Sequence, residues 1–135
     1  MTQASYAPPL VVVGVKSDSG VHTVVKWTGR FALKMLSKEQ KGVAFTFFKP
    51  AKLEDGKLSG QAFKPGANGC PILEGVIAAI ECSVREIVEI GDHHVVVGEV
   101  TEAYVPATIS GWPDAAILEM KDLGIIFSMV GDIVL

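Results

Sequence analysis

Apolar and polar residues largely alternate along one long stretch of this chain. Ile80, Cys82, Val84, Val88 and Ile90 take even positions, and Glu81, Ser83, Arg85 and Glu89 take odd ones. A period of two places these sets on opposite faces of a strand, so the pattern predicts a long half-buried β-strand. Gly91, Asp92 and His93 supply turn chemistry, and HVVVGEVTEAYV (94–105) returns as the hairpin partner. Three consecutive valines, Val95 to Val97, interrupt the alternation, and both faces of the second strand should be covered there.

The first third of the chain is equally patterned. LVVVGV (10–15) is short and β-branched, as a buried strand is. SDSG (17–20) reads as a turn, and VHTVVKWT (21–28) as two turns of helix ended by Gly29. RFALKML (30–36) alternates again, with Phe31, Leu33 and Met35 on one face and Arg30, Ala32 and Lys34 expected on a wet one. Ser37 and Gln40 have the spacing of a capping box, so a helix is expected to begin there. The Gly-, Pro- and Lys-rich segment 49–75 reads as a long functional loop or lid. AAILEM (115–120) suggests a further strand, and the apolar tail LGIIFSMVGDIVL has no clear period. Strands dominate, so the expected fold is a single all-β barrel domain over residues 1–135 with one or two short helices.

Composition adds an oligomer to this picture. Of the 135 residues 49% are hydrophobic and 20% charged. Mean hydropathy is +0.38, more apolar than one small core readily hides. An apolar oligomer interface is the expected place for the excess. Net charge is −3 with no basic run, which argues against nucleic-acid and anionic-membrane partners. Apolar runs such as Leu10 to Val15 fall far short of the roughly 20 residues of a membrane span. The N-terminus lacks a signal-peptide pattern, so a cytoplasmic location is expected. Cys70 and Cys82 are then expected to be thiols.

The local chemistry does not name a reaction. Adjacent strand residues face opposite ways, so His93 and His94 are poorly placed to share a metal, and no further histidine or cysteine stands at ligand spacing nearby. No metal site is expected. Lys16, the serines Ser17 and Ser19, and the helix that follows are compatible with phosphate, although Asp18 opposes an anion and such a turn also serves simply as a cap. Neither GxGxxG, nor GxxxxGK[ST], nor GxSxG is present.

GQAFKPGANGCPILEGVIAAIECSV (60–84) and GDHHVVVGEVTEAYV (91–105) together resemble the flavin reductase-like family. The resemblance is carried by Gly69, Cys70, Pro71, Leu73, Glu81, Cys82, Gly91, Asp92, His93, Gly98 and Val100. TQASYAPPLVVVGV and TGRFALKML resemble the same family's first half, and the wording is closest to modules attached to cyanobacterial flavodiiron proteins. The resemblance implies an FMN-binding split barrel, mostly β, that moves hydride or electrons from NAD(P)H through FMN, or FAD, to an acceptor. It implies a homodimer and a possible redox protein partner. It places His93 against the flavin or nicotinamide, and leaves His94 as a surface residue. It assigns flavin contacts to Thr2, Gln3, Ala4 and Ser5, and to Lys16, Ser17, Ser19 and His22. Compared with the family pattern the chain is short at its N-terminus, Val21 stands where a hydroxyl residue is frequent, and Lys34 where asparagine is. These departures keep an alternative open: a truncated, non-catalytic split-barrel subunit that has lost FMN. A barrel lacking a strand also leaves a sheet edge for a second copy or the C-terminal tail to cover.

Overall fold

The computed structural model describes residues 1–47, 49 and 51–105. The expected strand at 115–120 and the apolar tail lie outside the described residues. Five strands form one antiparallel sheet: β1 (Thr2–Tyr6), β2 (Pro9–Lys16), β3 (Arg30–Met35), β8 (Ala78–Val88) and β9 (His93–Tyr104), in the order β1-β2-β9-β8-β3. The predicted hairpin is the pair β8–β9, at the centre of the sheet. Helix α1 (Gly20–Thr28) joins β2 to β3, and α2 (Lys41–Thr46) follows a 3-10 turn over Lys38–Gln40. No helix among the described residues is long and apolar enough to cross a membrane.

Register explains the main core. Val13 pairs with Val96, Val15 with His94 and Phe31 with Cys82. Directly paired residues point the same way, so Val11, Val13, Val15, Val96, Phe31, Leu33 and Cys82 collect on one face, where Val25 of α1 packs on them. Burying each large apolar side chain here contributes about 1.5–3 kcal/mol. Gly98 belongs to this face: a β-carbon there would stand 2.5 Å from Phe31 Cζ and 3.0 Å from Cys82 Cβ. Only a residue without a side chain lets the ring lie across β9.

Helix α1 begins and ends as its sequence requires. The Ser19 hydroxyl accepts a hydrogen bond from the His22 N–H at 3.1 Å, capping one orphan donor. Gly29 adopts a left-handed conformation (φ 68°) and its N–H closes onto Val25 O at 2.9 Å. His22 and Val25, three apart, face inward. Val21, Val24 and Trp27 face outward, with Trp27 85% exposed, so part of the apolar excess lies on the surface of this helix.

The expected wet face of β3 is a second buried layer. Ala32 and Lys34 are covered, Lys34 to 3% exposure, while Arg30 at the strand end is exposed. Glu81, placed on the polar face of its strand by the alternation, is fully buried. The reason is tertiary. Leu36, Ala44, Leu73 and Val76 pack with Ala79 and Tyr104 over this side of the sheet, forming a separate apolar cluster. The segment 49–75 is accordingly no unstructured lid. It holds two short hairpins, β4–β5 (Leu53–Glu54 with Lys57–Leu58) and β6–β7 (Phe63–Pro65 with Pro71–Leu73). At the other end of the β8–β9 hairpin, β8 stops at Val88 and Ile90 is left exposed. The capping box at Ser37 forms, with the Ser37 N–H donating to Gln40 Oε1 at 2.9 Å, but the helical run it opens is short.

Candidate functional site

Two turns meet at one corner of the sheet. Lys16 ends β2, His93 begins β9, and the two are paired. The Ser17 N–H donates to Asp92 O at 2.9 Å, tying the turn before α1 to the turn between β8 and β9. Gly91 takes φ 79°, which the tight reversal demands and an L side chain resists. His93 is out of phase with His94, Val96 and Gly98, so it points away from the core. Its Nδ1 lies 3.2 Å from Asp92 Oδ1. With a carboxylate as acceptor, Nδ1 carries the proton and Nε2 is left to meet a ligand. The same contact holds the Asp92 carboxyl below its ordinary pKa.

Of the phosphate candidates at this corner, Lys16 and Ser17 are available. Lys16 makes an exposed ion pair with Asp18 at 3.4 Å, a contact of small worth in water. The Ser17 hydroxyl has no hydrogen-bond partner among the described residues. Ser19 is committed: its hydroxyl donates to Lys16 O at 2.8 Å and accepts from the His22 N–H. Beside them on the outer face of the sheet Gly14 is paired to Val95, with open space where a Gly14 side chain would stand.

His22 and His94 occupy a different place from the one expected. His94 is half-buried, on the core side of β9, because it is in phase with Val96. Its Nδ1 lies 2.8 Å from Nε2 of His22, which is 7% exposed. The rings meet edge to face, with centroids 4.7 Å apart. His94 is therefore no surface residue, and the His22 ring is turned inward rather than toward the turn. Glu89, at the end of β8, brings a carboxylate oxygen within 4.8 Å of the two histidine nitrogens. It also pairs with Lys26 at 2.5 Å, and that ammonium holds the Glu89 carboxyl below its ordinary pKa. The spacing rule missed this group because His22 and His94 are 72 positions apart.

Thr2, Gln3, Ala4 and Ser5 lie on β1, the edge strand beside β2. The register shifts between Gln3 and Ser5, so Ala4 is bulged out of the ladder. Gln3, Ala4, Ser5 and Tyr6 line an open groove of about 200 Å³. Thr2 pairs with Val12, four residues before Lys16, so the two groups of candidates stand roughly 13 Å apart along β2. The fold brings them along one strand, not into one cluster.

A buried polar cluster on the other side of the sheet was not foreseen. The Glu81 carboxylate accepts from Tyr104 Oη–H at 2.7 Å and from the Asn68 N–H at 3.1 Å. A β-carbon on Gly66 would overlap this carboxylate. Lys34 Nζ donates to Ala32 O at 3.3 Å, and burial lowers the Lys34 pKa from 10.5 to about 8. Cys70 and Cys82 are unpaired thiols, and burial raises both, Cys82 to about 11. The only sequence signal was a charged residue lodged in the apolar run around Ile80 and Cys82.

A family profile described as "Flavin reductase like domain" matches residues 1–114. The chain belongs to the flavin reductase-like family. It is 39% identical over 100 residues to a probable flavin reductase of Rhizobium meliloti (strain 1021), covering 74% of this chain and 31% of that protein. To the flavin reductase of Pseudomonas putida it is 36% identical over 104 residues, covering 77% and 59%. The expected cyanobacterial likeness is present at 31% identity, to putative diflavin flavoprotein A 6 of Nostoc sp. (strain PCC 7120), over 78% of this chain and 19% of that one. The chain thus spans from about a fifth to about three fifths of the length of these relatives. Among solved structures, the NADH:FAD oxidoreductase SgcE6 of Streptomyces globisporus C-1027 superposes with a TM-score of 0.69 at 29% identity, over 84% of this chain and 64% of that one. The flavin reductase-like chain therefore has the mostly β split-barrel fold with two short helices.

Proposed function

We propose that this flavin reductase-like chain binds FMN, or a related flavin, and mediates hydride transfer from NAD(P)H to it, with a further acceptor downstream. The observation that carries the reading is the Ser17 N–H to Asp92 O hydrogen bond. It fixes His93 beside Lys16 and Ser17, so an imidazole and a phosphate-compatible turn share one corner. A flavin supplies the hydride-accepting ring when bound. The residues present fit such a ligand. Gly14 leaves the outer sheet face open, Lys16 and Ser17 offer a cation and a hydroxyl, and the bulge at Ala4 frees backbone groups on β1. Asp92 orients His93, and Nε2 hydrogen-bonds the ring or the nicotinamide. Ser19 and His22 act from below, by capping α1 and bracing it against β9, not by touching the ligand.

One chain does not enclose this surface, since Thr2, Gln3 and Ala4 are exposed along an edge strand. In this reading a second copy covers the β1 edge and completes the wall. Similarity to flavin reductases and to a diflavin flavoprotein supports a redox protein or small-molecule acceptor. An absorbance scan of fresh protein with and without added FMN tests the binding, and NAD(P)H oxidation with free flavin tests the reaction. His93→Ala should slow NAD(P)H oxidation or alter the bound-flavin spectrum while the circular dichroism is unchanged. Colourless protein that takes up no FMN in excess would favour the non-catalytic subunit instead.

A further inference from the structure

We propose that His22, His94 and Glu89 form a binding site for a divalent cation of the zinc class, with three protein donors and one open position. The site is separate from the flavin reading and stands or falls without it. Three elements supply it: the first turn of α1, the start of β9 and the residue just beyond β8. One donor atom from each lies within 4.8 Å of the other two, and the two imidazole nitrogens are 2.8 Å apart. Around a tetrahedral ion with bonds of about 2.05 Å, donors stand about 3.3 Å from one another. The histidine pair must therefore open by about half an ångström, and Glu89 must close by at most about 1.5 Å.

The three residues are suited to those movements in different degrees. His22 is buried and anchored, since its own N–H caps on Ser19. His94 is fixed in register by β2 and β8 on either side of its strand. Glu89 lies exposed beyond the strand end, held there by Lys26 alone among the described residues, and can swing once that ion pair opens. In the contact seen, one imidazole nitrogen must donate and the other accept. When a cation enters, that proton moves to the far nitrogen of its own ring, and both facing nitrogens present lone pairs. A neutral histidine pair thus binds without losing a proton. Two imidazoles with one carboxylate favour zinc, cobalt or nickel over the all-oxygen sites of magnesium and calcium and the thiolate sites of copper(I). The fourth position takes water or an anion. Lys26 is the built-in competitor, because its ammonium holds Glu89 at 2.5 Å. An ion bound here would clamp α1 to the β8–β9 hairpin.

The test is calorimetric titration of the tag-free full chain with Zn²⁺, paralleled by Co²⁺ with visible spectra recorded. The expected result is one equivalent of Zn²⁺ bound and the absorption bands of four-coordinate Co²⁺. His94→Asn should weaken binding by about 100-fold or more, since even residues one shell removed from a metal cost 10–100-fold. Glu89→Gln should weaken binding, and Lys26→Met should tighten it by releasing the carboxylate. His93→Ala should leave the Zn²⁺ affinity unchanged, because His93 is out of phase with His94 on β9. Glu89 and Lys26 are both exposed, so their variants keep the test decisive should His94→Asn fail to fold. Absence of binding at millimolar Zn²⁺, or an affinity indifferent to both Glu89→Gln and Lys26→Met, overturns the proposal.

Discussion

Replacing Lys34 by methionine should stabilise this domain at neutral pH, and the gain should vanish in alkali. Lys34 is buried on the covered side of β3, where its ammonium donates to Ala32 O and has no carboxylate paired to it among the described residues. Burial lowers its pKa from 10.5 to about 8. At about 1.4 kcal/mol per pH unit, this corresponds to about 3 kcal/mol of cost for holding the ammonium inside. The direction of the pH dependence follows from proton counting. Below pH 8 both folded and unfolded chains carry the proton, and the folded state bears the whole cost. Between pH 8 and 10.5 the unfolded chain binds more protons, so this group's contribution to stability rises with pH. Methionine has similar length, no charge and adaptable packing, so it leaves little cavity. Urea unfolding followed by far-ultraviolet circular dichroism, in reductant, at several pH values from 7 to 10.5, gives both curves. Lys34→Met should exceed the parent by about 3 kcal/mol at pH 7, with the gap closing toward zero at pH 10.5. The raised thiol pKa of Cys82 lowers stability in the same alkaline window, but it does so in both proteins and drops out of the difference. A variant less stable than the parent at pH 7, or a gap that does not shrink as pH rises, would refute the reasoning.

Other substitutions probe the packing and the caps. Gly98→Ala should destabilise by about 1–3 kcal/mol in urea unfolding, because its methyl meets the Phe31 ring and the Cys82 side chain. Tyr104→Phe removes a hydrogen bond to the buried Glu81 carboxylate and should lower stability by about 1.5–3 kcal/mol, with faster amide exchange at Asn68. Ser19→Ala should lower stability by about 1 kcal/mol and increase fraying of the first turn of α1, readable by the exchange rate of the His22 amide.

Local pattern carried much of this fold because several elements depend on neighbours in sequence. The Ser19 cap, the Gly29 terminus, the alternation of β8 and the Gly91 turn are each decided within a few residues. What the pattern left open was decided by segments distant in sequence. Nothing near Lys34 or Glu81 announces that 36–47 and 63–76 will fold back over them, so two charged residues read as solvated lie inside. His94 illustrates the same limit. The run of valines from Val95 to Val97 hid which face it takes, and its contact with His22 depends on where α1 docks. The outward direction of His93 follows from register alone. The role proposed for it rests on resemblance, because a turn histidine beside an aspartate has no chemistry unique to one reaction.

The contact between Gly66 and Glu81 has a practical meaning for anyone redesigning this domain. Residues 66–70 look like a natural place to graft a tag or a recognition peptide, being irregular and bracketed by a small hairpin. Yet the loop is seated on a carboxylate with no room for a single methyl group. An insertion there would unseat a buried, hydrogen-bonded carboxyl group, so the hairpin tip around Asp55 and Gly56 is the safer acceptor.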